Sequence, residues 1–252
     1  MNIALILSGG TGRRAGTDIP KQYVEVCGKP VLSYSIETLS AHGGIDAIQI
    51  VAAPQWHERI RGWLGTADIG MKFRGFSLPG ETRQLSVLQG LEDIRKYAGG
   101  WDRVLIHDGA RPMLTAEMAT ACLTAAEGHG GVLPVLPMKD TVYGSRDGRR
   151  VTQLLNRGEV YGGQAPEVFR LGPYYEANLM LLPDRILEIS GSAEPAVLAG
   201  MDIVMIPGDE GNFKITTGGD LDRFREMVYR GKKGARRLGC VPEGMAESGG
   251  EG

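Results

Sequence analysis

Residues Leu7–Tyr23 read LSGGTGRRAGTDIPKQY. This stretch follows Ile3–Leu7, a short apolar run with the character of a buried strand. It holds four glycines, two adjacent arginines and a lysine directly behind a proline. Glycines let backbone N–H groups approach a phosphate closely, and cations beside them neutralise its charge. A polyphosphate site at the end of the first strand is therefore expected.

Outward from that loop, strand-like and helix-like segments alternate. Val31–His42 is expected to be helical, Ala47–Ala53 a strand, Gln55–Leu64 a helix, Lys72–Leu78 a strand and Thr82–Tyr97 a long amphipathic helix. Arg103–His107, Ala116–Gly128 and Val132–Val135 continue the alternation as strand, helix and strand. Strands separated by helices imply βαβ units and a mostly parallel sheet. Ligands in such folds bind at the carboxyl ends of the strands, so the loops there carry the chemistry. Near Met138 the pattern changes. Lys139–Gly144 and Arg150–Leu155 flank an Asp147-Gly148 turn signal and predict an inserted β-hairpin arm, about 139–157. Met201–Ile206 reads as a strand, Asn212–Thr216 as a short strand or loop, and Asp220–Tyr229 as the last helix. One domain over 1–230 and a flexible tail over 231–252 are expected.

Composition narrows the class. Of 252 residues, 42% are hydrophobic and 23% charged, as in ordinary globular proteins. The formal net charge of −2 offers no global basic field for nucleic acid, so any phosphate must be held by local cations. Cys27, Cys122 and Cys240 have no disulfide or metal-ligand spacing, which suits reduced thiols in a cytoplasmic protein. Neither an export signal nor a membrane span is evident.

Gly10-Thr11-Gly12-Arg13-Arg14-Ala15 formally fits a dinucleotide fingerprint. A nicotinamide site also wants an acid at the end of the second strand, where this chain reads Val51-Ala52-Ala53-Pro54. The NAD-dependent oxidoreductase reading is therefore disfavoured. Two arginines in the turn suit a triphosphate better.

Together with Pro20-Lys21-Gln22-Tyr23, the loop resembles the signature of sugar- and polyol-phosphate nucleotidyltransferases. Among these it is most similar to the cytidylyltransferases acting on 2-C-methyl-D-erythritol 4-phosphate or ribitol 5-phosphate. Further matches are Gly80-Glu81-Thr82-Arg83 with Ser86-Val87, His107-Asp108-Gly109-Ala110-Arg111-Pro112 and Asp140-Thr141. Gly163-Gln164-Ala165-Pro166-Glu167-Val168-Phe169 and Lys214-Ile215-Thr216 complete the series.

The resemblance implies a Rossmann-like nucleotidyltransferase (GT-A-like) three-layer α/β fold carrying the hairpin arm. It implies that CTP and a polyol phosphate, ribitol 5-phosphate by the Gly-Gln-x-Pro and Lys-Ile-Thr-Thr phrasing, give a CDP-polyol and pyrophosphate. It assigns Arg14, Lys21 and Lys214 as catalytic cations. It assigns Ser8, Gly9, Gly10, Thr11, Gly12, Gly80, Glu81, Ser86, Asp108 and Gly109 to the nucleotide, with Asp108 also the ligand of a Mg²⁺ cofactor. Asp140, Thr141 and Arg157 become acceptor contacts, Arg157 reaching into a partner subunit of a homodimer built on the arm. From the residues alone, Ser86 is equally a helix cap, Arg83 equally a partner of Glu81, and Arg111 equally a loop brace.

Relatives often read Thr-Pro-Gln where this chain has Ala165-Pro166-Glu167. They also carry an Asp in the segment corresponding to Glu188–Pro195, which leaves Glu188 or Glu194 as stand-ins. These departures put acceptor identity in question and keep a nucleotide-binding protein without catalysis as a further reading.

Overall fold

The structure is a computed structural model that describes residues 1–10, 19–65 and 71–234. Its first half runs β1 (Asn2–Leu7), a small ladder of β2 (Glu25–Val26) and β3 (Lys29–Pro30), and α1 (Val31–Ala41). It continues with β4 (Ala47–Val51), α2 (His57–Leu64), β5 (Phe73–Ser77), α3 (Arg83–Ile94), β6 (Arg103–Asp108) and α4 (Ala116–Ala125). The second half holds β7 (Gly131–Pro137), β8 (Val142–Gly144), β9 (Gln153–Leu155), β10 (Tyr161–Gly163) and β11 (Glu167–Arg170). It closes with α5 (Leu171–Leu179), α6 (Arg185–Glu188), α7 (Ala193–Leu198), β12 (Ile203–Pro207) and α8 (Gly218–Gly234).

The main sheet has the order β10-β7-β11-β6-β1-β4-β5, with β12 pairing β7. β1 lies parallel between β4 and β6, which explains its unbroken apolar run: it is buried on both faces. Ala4 and Ile6 face α1, α2 and α4 through Leu32, Ile36, Ile60 and Cys122. Ile3 and Leu5 face α3, α5 and α7 through Val87, Leu91, Tyr174 and Ala196. The expected three-layer α/β architecture is therefore present.

The segment after the hairpin differs from a simple parallel continuation. β11 inserts antiparallel between β6 and β7, in register Glu167↔Ile106 and Val168↔Val132. This puts residue 167 beside the strand that ends in Asp108. The expected hairpin forms from β8 and β9, closed by Asp147 Oδ1, which accepts from the N–H groups of Arg149 at 2.8 Å and Arg150 at 2.9 Å. Asn212–Thr216 forms a loop, and β12 ends at Pro207. α8 runs to Gly234, past the boundary expected at residue 230, and the tail expected beyond it lies outside the described residues. Among the described residues, no helix is long and apolar enough to cross a membrane.

α8 starts in a reciprocal cap. Asp220 Oδ2 accepts from the Thr217 N–H at 2.8 Å and the Thr216 N–H at 2.9 Å, while Thr217 Oγ1 accepts from the Asp220 N–H at 3.3 Å. The two threonine hydroxyls also donate to this carboxylate and hold its pKa well below the usual range. A depressed carboxyl stabilises the fold above its unfolded pKa and ceases to do so as pH falls through the folded value. Asp220→Ala is expected to cost about 1 kcal/mol, read as a melting temperature roughly 2–4 °C lower at neutral pH. The gap should shrink as pH falls below about 4 and close only as it passes the folded pKa, where the wild-type carboxyl is protonated as well.

Candidate active site

Four loops meet at the carboxyl ends of β1, β5 and β6. Ser8-Gly9-Gly10 leaves β1, and Pro79-Gly80-Glu81 leaves β5. A Cβ on Gly9 would lie 2.4 Å from Pro79 Cβ, so glycine there is what lets the first two loops touch. Gly80 is equally confined: a Cβ would meet Leu85 Cβ at 2.4 Å and the Ser86 nitrogen at 2.9 Å. Its N–H donates to Ser86 Oγ at 3.0 Å, and that hydroxyl donates to Thr82 O at 2.9 Å. Ser86 therefore braces the loop. The cap of α3 is Thr82, whose hydroxyl accepts from the Leu85 N–H at 3.2 Å. Glu81 is exposed.

The Pro-Lys-Gln-Tyr phrase folds into a single 3₁₀ turn, Lys21–Tyr23, bolted to the first loop. Gln22 Nε2 donates to Ser8 O at 2.8 Å and to Gly10 O at 2.7 Å. Tyr23 Oη donates to Ser8 O at 2.8 Å and accepts from Ser8 Oγ at 2.9 Å. Its ring stacks on Trp56 with centroids 4.1 Å apart. Gln22 and Tyr23 are buried, so they fix the turn on which half-buried Lys21 stands. Thr11, Gly12, Arg13 and Arg14 lie outside the described residues.

At the end of β6, Asp108 is buried and collects three cations. Oδ1 accepts from Arg83 Nε at 3.2 Å and Nη2 at 3.0 Å. Oδ2 lies 3.0 Å from Lys214 Nζ and 3.4 Å from Arg111 Nε. Burial alone would raise the Asp108 carboxyl, but Arg83, Lys214 and Arg111 outweigh it and hold it far below the usual range. Burial likewise works against the Arg83 charge, and Asp108 and Glu167 reverse that effect. Arg83 therefore pairs with Asp108 and not with Glu81. Arg111 is both brace and site cation, since Nη1 donates to Asn212 O at 2.7 Å. His107 is packed without access to water; burial pushes it down to about 4, and its Nε2 meets Arg111 O at 3.0 Å.

Lys214 arrives from a distant part of the chain. Ile215 N–H donates to Ala110 O at 2.9 Å, and Asn212 Nδ2 to Ala165 O at 2.7 Å. These bonds, with Ile215 buried against Val31 and Phe224, seat the loop that carries Lys214.

A groove of about 500 Å³ opens beside this cluster, lined by Arg111, Lys214, Gln164, Phe213 and Lys139 among others. Lys139, at the root of the arm, pairs with Glu210 on the far wall. Asp140, Thr141 and Arg157 are exposed on the arm and do not line the groove. Arg157 Nη1 donates to Lys139 O at 2.8 Å. The structure thus gathers Ser8, Gly9, Gly80, Ser86, Asp108, Gly109 and Lys214 but leaves the three arm residues outside.

Two members of the cluster were not singled out as site residues. Ser192 Oγ accepts from Arg83 Nη1, and Glu167 Oε2 lies 4.0 Å from Arg83 Nη2. Glu188 is exposed, and Glu194 accepts from the Ser190 N–H at 3.0 Å, so neither stand-in reaches the cluster. The clue in the sequence is the acid at 167 ahead of the apolar Val168-Phe169 pair. Its burial beside an arginine 84 residues earlier depends on the antiparallel insertion of β11.

Among the described residues no group of three or more His, Cys, Asp or Glu is placed to hold a metal ion. Mg²⁺ at nucleotide sites usually takes one or two carboxylates plus phosphate oxygens, and Asp108 supplies one hard oxygen donor at the strand ends. Both Asp108 oxygens are already taken by Arg83, Lys214 and Arg111, so the residues as placed offer a divalent cation no open protein ligand.

The family model of 2-C-methyl-D-erythritol 4-phosphate cytidylyltransferase (IspD) matches residues 2–229. The bifunctional enzyme IspD/IspF of Paramagnetospirillum magneticum is 33% identical over 88% of this chain and 56% of its own length. The chain thus spans about half the length of that relative. A ribitol-5-phosphate cytidylyltransferase of Streptococcus agalactiae is 30% identical over 90% of this chain and 95% of that protein. Among solved structures, 4-diphosphocytidyl-2C-methyl-D-erythritol synthase from Anaerococcus prevotii superposes with a TM-score of 0.77 at 26% identity, covering 91% of this chain and 96% of the other.

Proposed function

This chain belongs to the 2-C-methyl-D-erythritol 4-phosphate cytidylyltransferase family, and on that premise we propose that it transfers a cytidylyl group from CTP to a polyol phosphate. The observation that carries the reading is the convergence of Lys214, Arg111 and Arg83 on Asp108 beside a groove. Such a set of fixed cations is suited to two phosphorylated substrates brought together.

In the proposed reaction an ionised oxygen of the acceptor phosphate attacks the α-phosphorus of CTP. A new P–O bond forms, the bond to the bridging oxygen of the β-phosphate breaks, and pyrophosphate leaves with the electron pair. No side chain has to remove a proton, so positioning and charge neutralisation dominate. Lys214 and Arg111 line the groove and are suited to the acceptor phosphate. Lys21, with Arg14 in the same opening segment, is suited to the triphosphate. Donors already in position stabilise the charge that develops on the phosphoryl oxygens without reorganising. The confined Gly80 loop is suited to reading a small pyrimidine through backbone groups. A Mg²⁺ carried by the substrate phosphates would neutralise part of their charge.

For the acceptor, the matching family model favours 2-C-methyl-D-erythritol 4-phosphate, the step being one of isoprenoid biosynthesis. Ribitol 5-phosphate, a cell-wall precursor, is the second reading, supported by the relative of that name and by the chain's own phrasing around Gln164. Pyrophosphate release with CTP and each phosphate in turn tests both. Cys122 is a buried free cysteine, in keeping with a cytoplasmic site of action.

The arm supports a homodimer. Val151 and Leu154 are each 66% exposed and Tyr143 is 58% exposed, an apolar surface that a second copy would cover. Asp140, Thr141 and Arg157 on that arm would then meet the partner's groove. Light scattering at micromolar concentration is expected to give the mass of two chains, and a monomer would remove Arg157 from a role in trans.

A further inference from the structure

Five polar side chains line the groove of about 500 Å³: Arg111, Lys139, Gln164, Glu210 and Lys214. The other side chains on its walls are apolar. Arg111 and Lys214 are drawn to the Asp108 end by their ion pairs. Gln164 is spent on the backbone, because its Nε2 donates to Asp209 O at 2.9 Å and its Oε1 accepts from the Asp209 N–H at 2.9 Å. Lys139 and Glu210 are left, and they pair with each other from opposite walls. Both stand on braced backbone. On one side the Met138 N–H donates to Val160 O at 3.3 Å, and Lys139 O accepts from Arg157 Nη1 at 2.8 Å. On the other, the Asn212 N–H donates to Asp209 O at 3.0 Å and the Gly211 N–H to Asp209 Oδ1 at 2.7 Å, which closes a tight turn around Glu210.

We propose that Lys139 and Glu210 together read the hydroxyl groups of a polyol phosphate and form the far end of the acceptor subsite. An ammonium has three N–H donors and a carboxylate two acceptor oxygens, so their mutual contact uses only part of each. A hydroxyl both donates and accepts, and this couple meets both needs at one place. With the phosphate on Arg111 and Lys214, the carbon chain lies along the apolar walls and brings its hydroxyls to the pair. A site built to hydrogen-bond a hydroxyl discriminates against the analogue that lacks it. The pair therefore selects a polyhydroxylated chain over a plain alkyl phosphate of the same charge. This inference rests on the proposed use of the groove for a polyol phosphate.

The test is equilibrium binding to the whole chain saturated with α,β-methylene CTP, which permits no transfer. The probes are 2-C-methyl-D-erythritol 4-phosphate and ribitol 5-phosphate, titrated by calorimetry, and ethyl phosphate, read by competition. The wild type is expected to bind one of the polyol phosphates more tightly than ethyl phosphate. Glu210→Ala and Lys139→Met should each weaken that polyol phosphate about tenfold, the effect of losing a hydrogen bond to a charged group. Both positions are exposed, so the fold should survive, and unchanged affinity for ethyl phosphate checks this. An unchanged polyol-phosphate affinity in either variant overturns the proposal. So does an equal change for ethyl phosphate, which would make the pair act on phosphate charge and not on hydroxyls. Binding of neither polyol phosphate by the wild type would overturn the proposed function as well, a result separate from the other two.

Discussion

Lys21→Ala is expected to lower kcat/KM by about 10²–10³-fold while the chain keeps its fold. The lysine stands on a turn whose rigidity comes from its neighbours. Gln22 is bonded to Ser8 O and Gly10 O, and Tyr23 is bonded to Ser8 and stacked on Trp56. Removing the Lys21 side chain leaves all of these in place, so the turn should keep its shape. What is lost is the cation that the proposed reaction assigns to the triphosphate charge. Near-normal turnover in steady-state kinetics would take Lys21 out of the catalytic role.

Asp108→Asn is expected to be both inactive and markedly less stable. The carboxylate is buried and accepts from Arg83 twice, with Lys214 and Arg111 on its other oxygen. An amide of the same shape leaves these cations with Glu167 as the one remaining acid of the cluster. Breaking a buried ion cluster by removing one partner typically costs about 3–5 kcal/mol. For a chain of this size that corresponds to a melting temperature lower by on the order of 10 °C. Differential scanning calorimetry reads it directly, and an unchanged melting temperature would mean that the cluster is looser than its distances imply. Low pH should destabilise the wild type through the same group. Its folded pKa is far below the unfolded value, so its contribution is present above about pH 4 and is lost only as pH falls toward the folded pKa.

Much of this was legible in the sequence, for identifiable physical reasons. β1 could be read because a strand buried on both faces must be apolar throughout. The turn at Asp147-Gly148 could be read because Gly148 sits at φ +68°, which glycine adopts at no steric cost. Asp108 at the end of β6 and Lys214 ahead of α8 were legible as single residues, although their 3.0 Å pairing was not. That contact depends on Asn212 and Ile215 bonding to loops far away in the chain. The antiparallel insertion of β11 left no clear local signal, because Glu167–Arg170 is short and Glu167 breaks its apolar pattern. With β11 unread, the sequence does not place Glu167 next to Arg83. The arm residues Asp140, Thr141 and Arg157 gain a site only if a second chain supplies one.

The central claim is that this cation cluster joins CTP to a polyol phosphate. Its most direct measurement is pyrophosphate release by the purified chain with CTP and Mg²⁺, in separate reactions with 2-C-methyl-D-erythritol 4-phosphate and ribitol 5-phosphate. Release is predicted with one of the two, dependent on CTP and largely abolished in Lys21→Ala. No release with either acceptor would contradict the account.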